Sequence, residues 1–152
     1  MALSLELALR AAMLNAIETF LNDSGTAKLN ILQTYTTLLS FSLTATPLGS
    51  AANDSIAVAS APINSTGVIT GGYANRFTLE SEAGLLALSG TISAYGGGGD
   101  LQVPSVLISA GQTQRLNALV LRMASNGALS IDGHMVDMPH LVQARRTLAQ
   151  LD

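Results

Sequence analysis

The sequence contains no cysteine and no tryptophan. The absence of cysteine excludes disulfide bonds, a thiolate nucleophile and thiolate metal ligands. Charged residues make up only 11% of the chain, against about 25% in an average soluble protein. A surface with so few charges must be built from small polar side chains or be covered by partners, because lasting contacts disfavour the burial of charge.

Basic residues are scarce as well. The chain has seven, of which Lys28 is the only lysine, and its net charge is −3. A protein that binds nucleic acid through phosphates needs clustered Lys and Arg side chains. Only Arg145 and Arg146 are adjacent, so we expect no nucleic-acid partner.

Long apolar runs are missing too. No stretch approaches the roughly 20 apolar residues of a membrane-spanning helix, and Glu6 and Arg10 interrupt the apolar start of the chain, which also lacks the basic segment of a secretory signal. We therefore expect no membrane partner and synthesis in a cytosol. The 152 residues, 48% of them hydrophobic, suffice for one domain with a packed core.

The first 24 residues have the pattern of a helix that ends near residue 22. They are rich in good helix formers and contain no glycine or proline. Two apolar rows follow helical spacing. The first row consists of Leu5, Leu9, Met13, Ile17 and Phe20, and the second of Leu3, Leu7, Leu14 and Leu21. Two rows exceed what one sheet contact buries, so the first row packs on the domain's own sheet, docks on a neighbouring subunit, or does both.

Residues 25–124 have the pattern of short strands separated by turn residues. Leu39, Phe41 and Leu43 alternate with polar residues, which is typical of a half-buried strand. The predicted strands cover residues 28–34, 37–44, 55–59, 68–70, 73–79, 85–94, 101–103, 106–108 and 116–123. This spacing predicts a mainly β domain, an antiparallel sandwich or barrel.

Residues 125–152 are predicted to form a C-terminal arm. Turns are expected at residues 125–127 and 131–134, and Asp137 can cap a short helix that runs to Leu151. Leu141 and Leu148 would lie on its apolar face, and we expect them to contact an adjacent subunit.

Two motifs carry possible chemistry. Four glycines, Gly96 to Gly99, are typical of phosphate-binding loops, but a strand-like segment follows them and no lysine does, which favours a wide turn or bulge. His134, Asp137 and His140 are metal-ligand types at three-residue intervals. Surface polar residues near a helix start explain them equally well, with Asp137 as the cap.

No Gly-x-Ser-x-Gly nucleophile motif is present. We therefore predict no enzyme activity, no cofactor and no metal site.

Two stretches resemble a family of small structural proteins of tailed bacteriophages. The first is residues 8–18 followed by the strand at 27–32, and the second is residues 96–101 followed by 105–113 and a strand that ends near residue 121. The resemblance covers residues 1–123. The aromatic positions frequent in the family are mostly absent here, and residues 125–152 have no counterpart.

Members of that family look like a short helix followed by a jelly-roll-like β-sandwich, and are taken as capsid decoration (cement) proteins or other head or tail components. The resemblance implies a homo-oligomeric virion protein, assembled in the cytoplasm of the bacterial host, whose partner is the major capsid protein. A tail or head–tail joining component is the alternative in the same setting. A carbohydrate-binding β-sandwich is the alternative from another class, but it needs exposed aromatic rings, and the chain has only three Tyr and three Phe.

Overall fold

The computed structural model describes residues 3–22, 26–43, 48–59, 61–66 and 69–138. This part of the chain is mainly β with an N-terminal helix, as the sequence pattern predicts. The elements are α1 (Leu7–Leu21), β1 (Lys28–Gln33), β2 (Thr36–Ser42), β3 (Ser55–Ala57), β4 (Ile63–Asn64), β5 (Gly72–Tyr73), β6 (Arg76–Glu80), β7 (Leu86–Ala94), β8 (Leu101–Val103), β9 (Leu107–Ile108), β10 (Thr113–Met123) and β11 (Leu129–Met138).

The strands form two main sheets in a sandwich-like arrangement. One sheet has the order β2-β1-β6-β7-β8, and the other has the order β11-β10-β3 with β4 also paired to β10. Strands β5 and β9 make a separate two-stranded pair. Apolar side chains from both sheets belong to a single core, which includes Leu29, Ile31, Phe41, Phe77, Leu79, Leu101, Leu119, Leu121 and Ile131. Burial of this apolar surface is the main force that holds the sheets together.

The outer face of the five-stranded sheet is polar. At its centre lies Asn30, which is paired in register with Ser40 on one side and Thr78 on the other. The Asn30 amide donates a hydrogen bond to the Thr78 hydroxyl at 3.2 Å, and its oxygen accepts one from the Ser40 hydroxyl at 2.6 Å. These bonds satisfy a side chain that is largely buried, as a buried amide requires.

Strand β10 contains a bulge that resets its alternation. Gln114 and Leu116 are buried before it, and Leu119 and Leu121 are buried after it. The shift of one residue coincides with an irregularity in the pairing with β11 between Leu116 and Ala118. An extra residue on one strand has this effect because side chains alternate between the two faces with a period of two.

The C-terminal part of the described chain differs from its prediction. The turn at 125–127 is confirmed and joins β10 to β11. The turn predicted at 131–134 and the helix cap at Asp137 are wrong, because these residues lie within the ten-residue strand β11. This strand belongs to the second sheet and not to an arm. The rest of the predicted helix, with Leu141 and Leu148, lies outside the described residues, as does His140.

Gly133 explains why this strand was missed. A Cβ atom at this position would collide with the Leu101 side chain of β8 and lie 3.2 Å from that of Leu119. Glycine therefore leaves room for these two leucine side chains where β8 of one sheet packs against β11 of the other, which is a different role from the turn that glycine usually marks.

Smaller differences concern the middle of the chain. Residues 69–70 are not in a strand, although Ile69 is buried and the Thr70 amide donates a hydrogen bond to the Leu38 carbonyl at 2.8 Å. The two-residue strand β4 was not predicted. Pairs this short leave no periodic signal in the sequence.

The glycine run forms a tight connection between two parallel strands. Strands β7 and β8 pair in parallel, with Ile92 opposite Leu101, although only residues 95–100 separate them, far fewer than the dozen or so that such crossovers usually need. Gly96 and Gly98 have φ values of +83° and +81°, which favour glycine. The interpretation as a turn between strands, and not a phosphate loop that leads into a helix, fits this geometry.

Substituting Gly99 with alanine is expected to destabilise the domain. The added Cβ would lie 2.6 Å from the Ser93 backbone nitrogen and 3.0 Å from the Ile92 carbonyl carbon, and such overpacking costs about 1–3 kcal/mol. Gly49→Ala is the matched control, because its Cβ would meet only the Ala57 carbonyl oxygen at 3.8 Å. Urea denaturation of both variants checks this. Equal stabilities would contradict the tight-crossover interpretation.

Candidate docking surface

Helix α1 lies against the sandwich through one of its two apolar rows. Leu14 and Leu21, from the second row, are fully buried in the core. They are seven residues apart, so both point to the same side of the helix. Leu7, from the same row, is about half exposed, and so the row is buried only over the last two turns.

Polar contacts fasten the same side of the helix. The Glu18 carboxylate accepts a hydrogen bond from the Leu48 amide at 2.6 Å, and the Asn15 side-chain oxygen accepts one from the Ala51 amide at 3.0 Å. Burial raises the pKa of Glu18 above its ordinary value of 4.5, and the bond from Leu48 partly opposes this rise. Together these two side chains hold the segment at residues 48–51 against the helix.

The beginning of the helix is fastened to the second sheet. The Arg10 guanidinium donates a hydrogen bond to the Met123 carbonyl at 3.4 Å and lies 4.0 Å from the Asp54 carboxylate. The Leu5 amide donates to the Ser125 carbonyl at 2.6 Å. Together with the bonds of Asn15 and Glu18, these contacts tie both ends of α1 to its own domain, so its orientation is fixed.

The first apolar row is left largely open. Leu9, Met13 and Phe20 are 50%, 39% and 42% exposed. Leu5 and Ile17, the other members of the row in the described chain, are half-buried. Of the five interface candidates in this row, Leu5 precedes α1 and the other four lie along one side of it, three of them exposed.

A neighbouring strand extends this apolar surface. Ala16, Ile17 and Phe20 line a shallow groove of about 280 Å³ together with Leu86 and Ala87 from the start of β7. Leu86 is 51% exposed, and Leu85 beside it is similarly open. None of the five groove residues is charged. We call the surface formed by Leu9, Met13, Ile17, Phe20 and Leu86 the α1 face.

Leu86 was not among the residues predicted to form this surface. The signal that could have found it is the apolar pair Leu85-Leu86 directly before and at the start of β7, although both leucines are about half exposed and strand alternation alone would have placed one of them in the core. Their position beside Phe20 depends on tertiary packing and has no local signature.

The described residues give no support to a metal site. Among the described residues, no group of three His, Cys, Asp or Glu is placed to hold a metal ion. His134 and Asp137 lie on β11 and not at a helix start. No described helix has the length and apolar character needed to cross a membrane.

Comparisons with protein-family models, with curated proteins and with solved structures found no match for this chain.

Leucine substitutions on the two sides of α1 are expected to differ in their effect on stability. Leu14→Ala should lower the free energy of unfolding by about 2–5 kcal/mol, because it leaves a cavity in the core. Leu9→Ala, the same change on the exposed row, should change it by no more than about 0.5 kcal/mol. Chemical denaturation of both variants measures this, and a large loss for Leu9→Ala would show that its row is part of the core.

Stability should also depend on pH through Glu18. Because its pKa is raised in the folded state, folding favours the protonated form. The contribution of Glu18 to the free energy of unfolding is therefore most favourable below pH about 4.5, and it declines as pH rises through the raised pKa of the folded state. Glu18→Gln keeps an oxygen acceptor for Leu48 but cannot titrate. The unfolding free energy of the unmodified chain minus that of the variant should fall across this window and then level off; a difference that rises with pH would contradict it.

Proposed function

We propose that this chain is a structural protein of a tailed-phage virion, and specifically a capsid decoration protein that binds the major capsid protein. One observation carries the proposal. Helix α1 buries Leu14 and Leu21 in the core and is hydrogen-bonded near both ends to its own domain, yet it presents its first apolar row largely to solvent. A contiguous exposed apolar surface on a soluble domain marks an interaction site.

The rigidity of α1 favours a docking role. A helix held in place by Leu14, Leu21 and the hydrogen bonds of Asn15 and Glu18 loses little freedom when a partner covers its other side. Preorganisation of this kind lowers the cost of association. The groove beside Phe20 gives the surface a concave part that can receive a partner's apolar side chain.

The chemistry of the α1 face fits a lasting contact. Burial of apolar surface contributes about 25 cal/mol per Å² removed from water, and no charge has to be desolvated at the groove residues. The low charged fraction of the whole chain fits the same setting. Each copy bound to the shell would stabilise it by mass action, since the added contacts exist only in the assembled lattice.

The test uses a variant that removes the surface and spares the fold. Leu9→Gln, Met13→Gln and Phe20→Gln are combined on the exposed row. The matched control carries Ala8→Gln, Ala12→Gln and Thr19→Gln, which are exposed and lie about 100° around the helix axis from the substituted row. Deleting the helix would be a poorer test, because it would also remove Leu14 and Leu21 from the core.

The measurement is co-sedimentation of each purified chain with phage heads that lack it. We expect saturable binding of the unmodified chain at a fixed ratio to the major capsid protein, retention in the control, and a loss of about tenfold or more in affinity for the α1-face variant. Binding to isolated tails and not to heads would move the protein to the tail. Binding to neither would overturn the virion assignment.

A further inference from the structure

The β1–β2 hairpin exposes an aromatic ring at its tip. Tyr35 is 84% exposed and occupies the second position of the two-residue turn between the strands. Thr34, at the first position, has a φ of +55°. A β-branched residue rarely adopts this conformation, and glycine usually takes the equivalent position in hairpin turns with positive φ there. A strained residue kept at such a place is an observation that points to a function.

Asn75 holds the strained turn. Its side-chain oxygen accepts a hydrogen bond from the Thr34 amide at 2.7 Å, and its amide nitrogen donates to the Thr34 hydroxyl at 3.4 Å. The Asn75 backbone is itself bonded to two strands, with its amide donating to the Leu32 carbonyl and its carbonyl accepting from the Ile92 amide. The Tyr35 backbone is thus fixed relative to the sheet.

An open depression of about 550 Å³ lies beside this ring. Tyr35 and Asn75 line it together with Arg76, Ser89 and Thr91. Arg76 is paired in register with Thr91, and Thr78, two residues further along β6, is paired with Ser89. Because Phe77 points into the core, these polar side chains lie on the outer face of the five-stranded sheet. Asp100 further orients Thr91, accepting hydrogen bonds from its amide and its hydroxyl, both at 3.0 Å.

We propose that this depression, the Tyr35 site, binds an acidic saccharide. The face of Tyr35 offers a platform for the apolar side of a sugar ring. Among the described residues that line the depression, Arg76 alone is charged, and a guanidinium can bind a carboxylate through two parallel hydrogen bonds. The Ser89 hydroxyl can exchange hydrogen bonds with the hydroxyl groups of a sugar. The Thr91 hydroxyl donates to the Asp100 carboxylate and accepts from the Asp100 amide at 3.2 Å, which leaves it one lone pair to accept from a sugar hydroxyl. The site is a binding function separate from the α1 face.

The test is NMR titration of the amide resonances of the full chain with four probes. Sialyllactose and a hyaluronan tetrasaccharide carry carboxylates, whereas lactose and chitotetraose are neutral. We expect at least one acidic probe to shift resonances around Tyr35, with a dissociation constant of about 1 mM or lower. The same probe should bind more tightly than its neutral counterpart.

Two variants and a control locate the binding. Tyr35→Ala should weaken it about tenfold or more, and Arg76→Gln should remove the preference for the acidic probe. Tyr95→Ala is the control, since Tyr95 is another exposed tyrosine that does not line the depression, and it should bind as the unmodified chain does. Three results would each overturn the proposal: no binding of any of the four probes, equal binding of acidic and neutral probes, or binding that is unchanged in Tyr35→Ala. Each of these results is independent of whether the chain binds phage heads.

Discussion

Leu14 and Leu21 of α1 are fully buried in the core, and this contact fixes the rotation of the helix about its axis. Successive residues of a helix are about 100° apart around that axis. Met13 and Phe20, each one residue before a buried leucine, are therefore turned away from the core. Hydrogen bonds of Glu18 and Arg10 with the rest of the domain oppose any rotation of the helix that would bury Met13 and Phe20. The exposed apolar surface is thus a direct result of how the other side of the helix packs.

Periodicity predicted the elements whose residues repeat over several turns or pleats. Helix α1, the hairpin of β1 and β2, and most of β7 and β10 follow from such patterns. Strand β11 was missed because Asp132 and Gly133 are typical turn residues, whereas in the structure Gly133 leaves room for the Leu101 side chain. That contact joins segments more than thirty residues apart in the sequence, so no local pattern can reveal it. The parallel pairing of β7 with β8 was not predicted for a different reason, because its six-residue connection is far shorter than parallel crossovers usually are.

The candidate surface was predictable only in part. Both apolar rows of α1 have helical spacing, and the sequence does not distinguish the row that faces the core from the row that faces solvent. Leu86 joins the α1 face through tertiary packing, and the Tyr35 site combines residues from the hairpin, from β6 and from β7. A site of this kind depends on register across neighbouring strands. The positive φ of Thr34 gives no sign in the sequence, because threonine is an unusual choice for it.

Strand β7 carries part of both proposed surfaces. Leu86 at its start belongs to the α1 face, and Thr91 five positions later lines the Tyr35 site, a distance of roughly 16 Å at the rise of an extended strand. Copies docked through the α1 face would all hold their sugar sites at the same distance and orientation from the surface beneath them. A regular array of this kind gains avidity, since one long glycan can engage several copies and weak single contacts multiply. The affinity of an isolated copy would then understate that of the assembled particle.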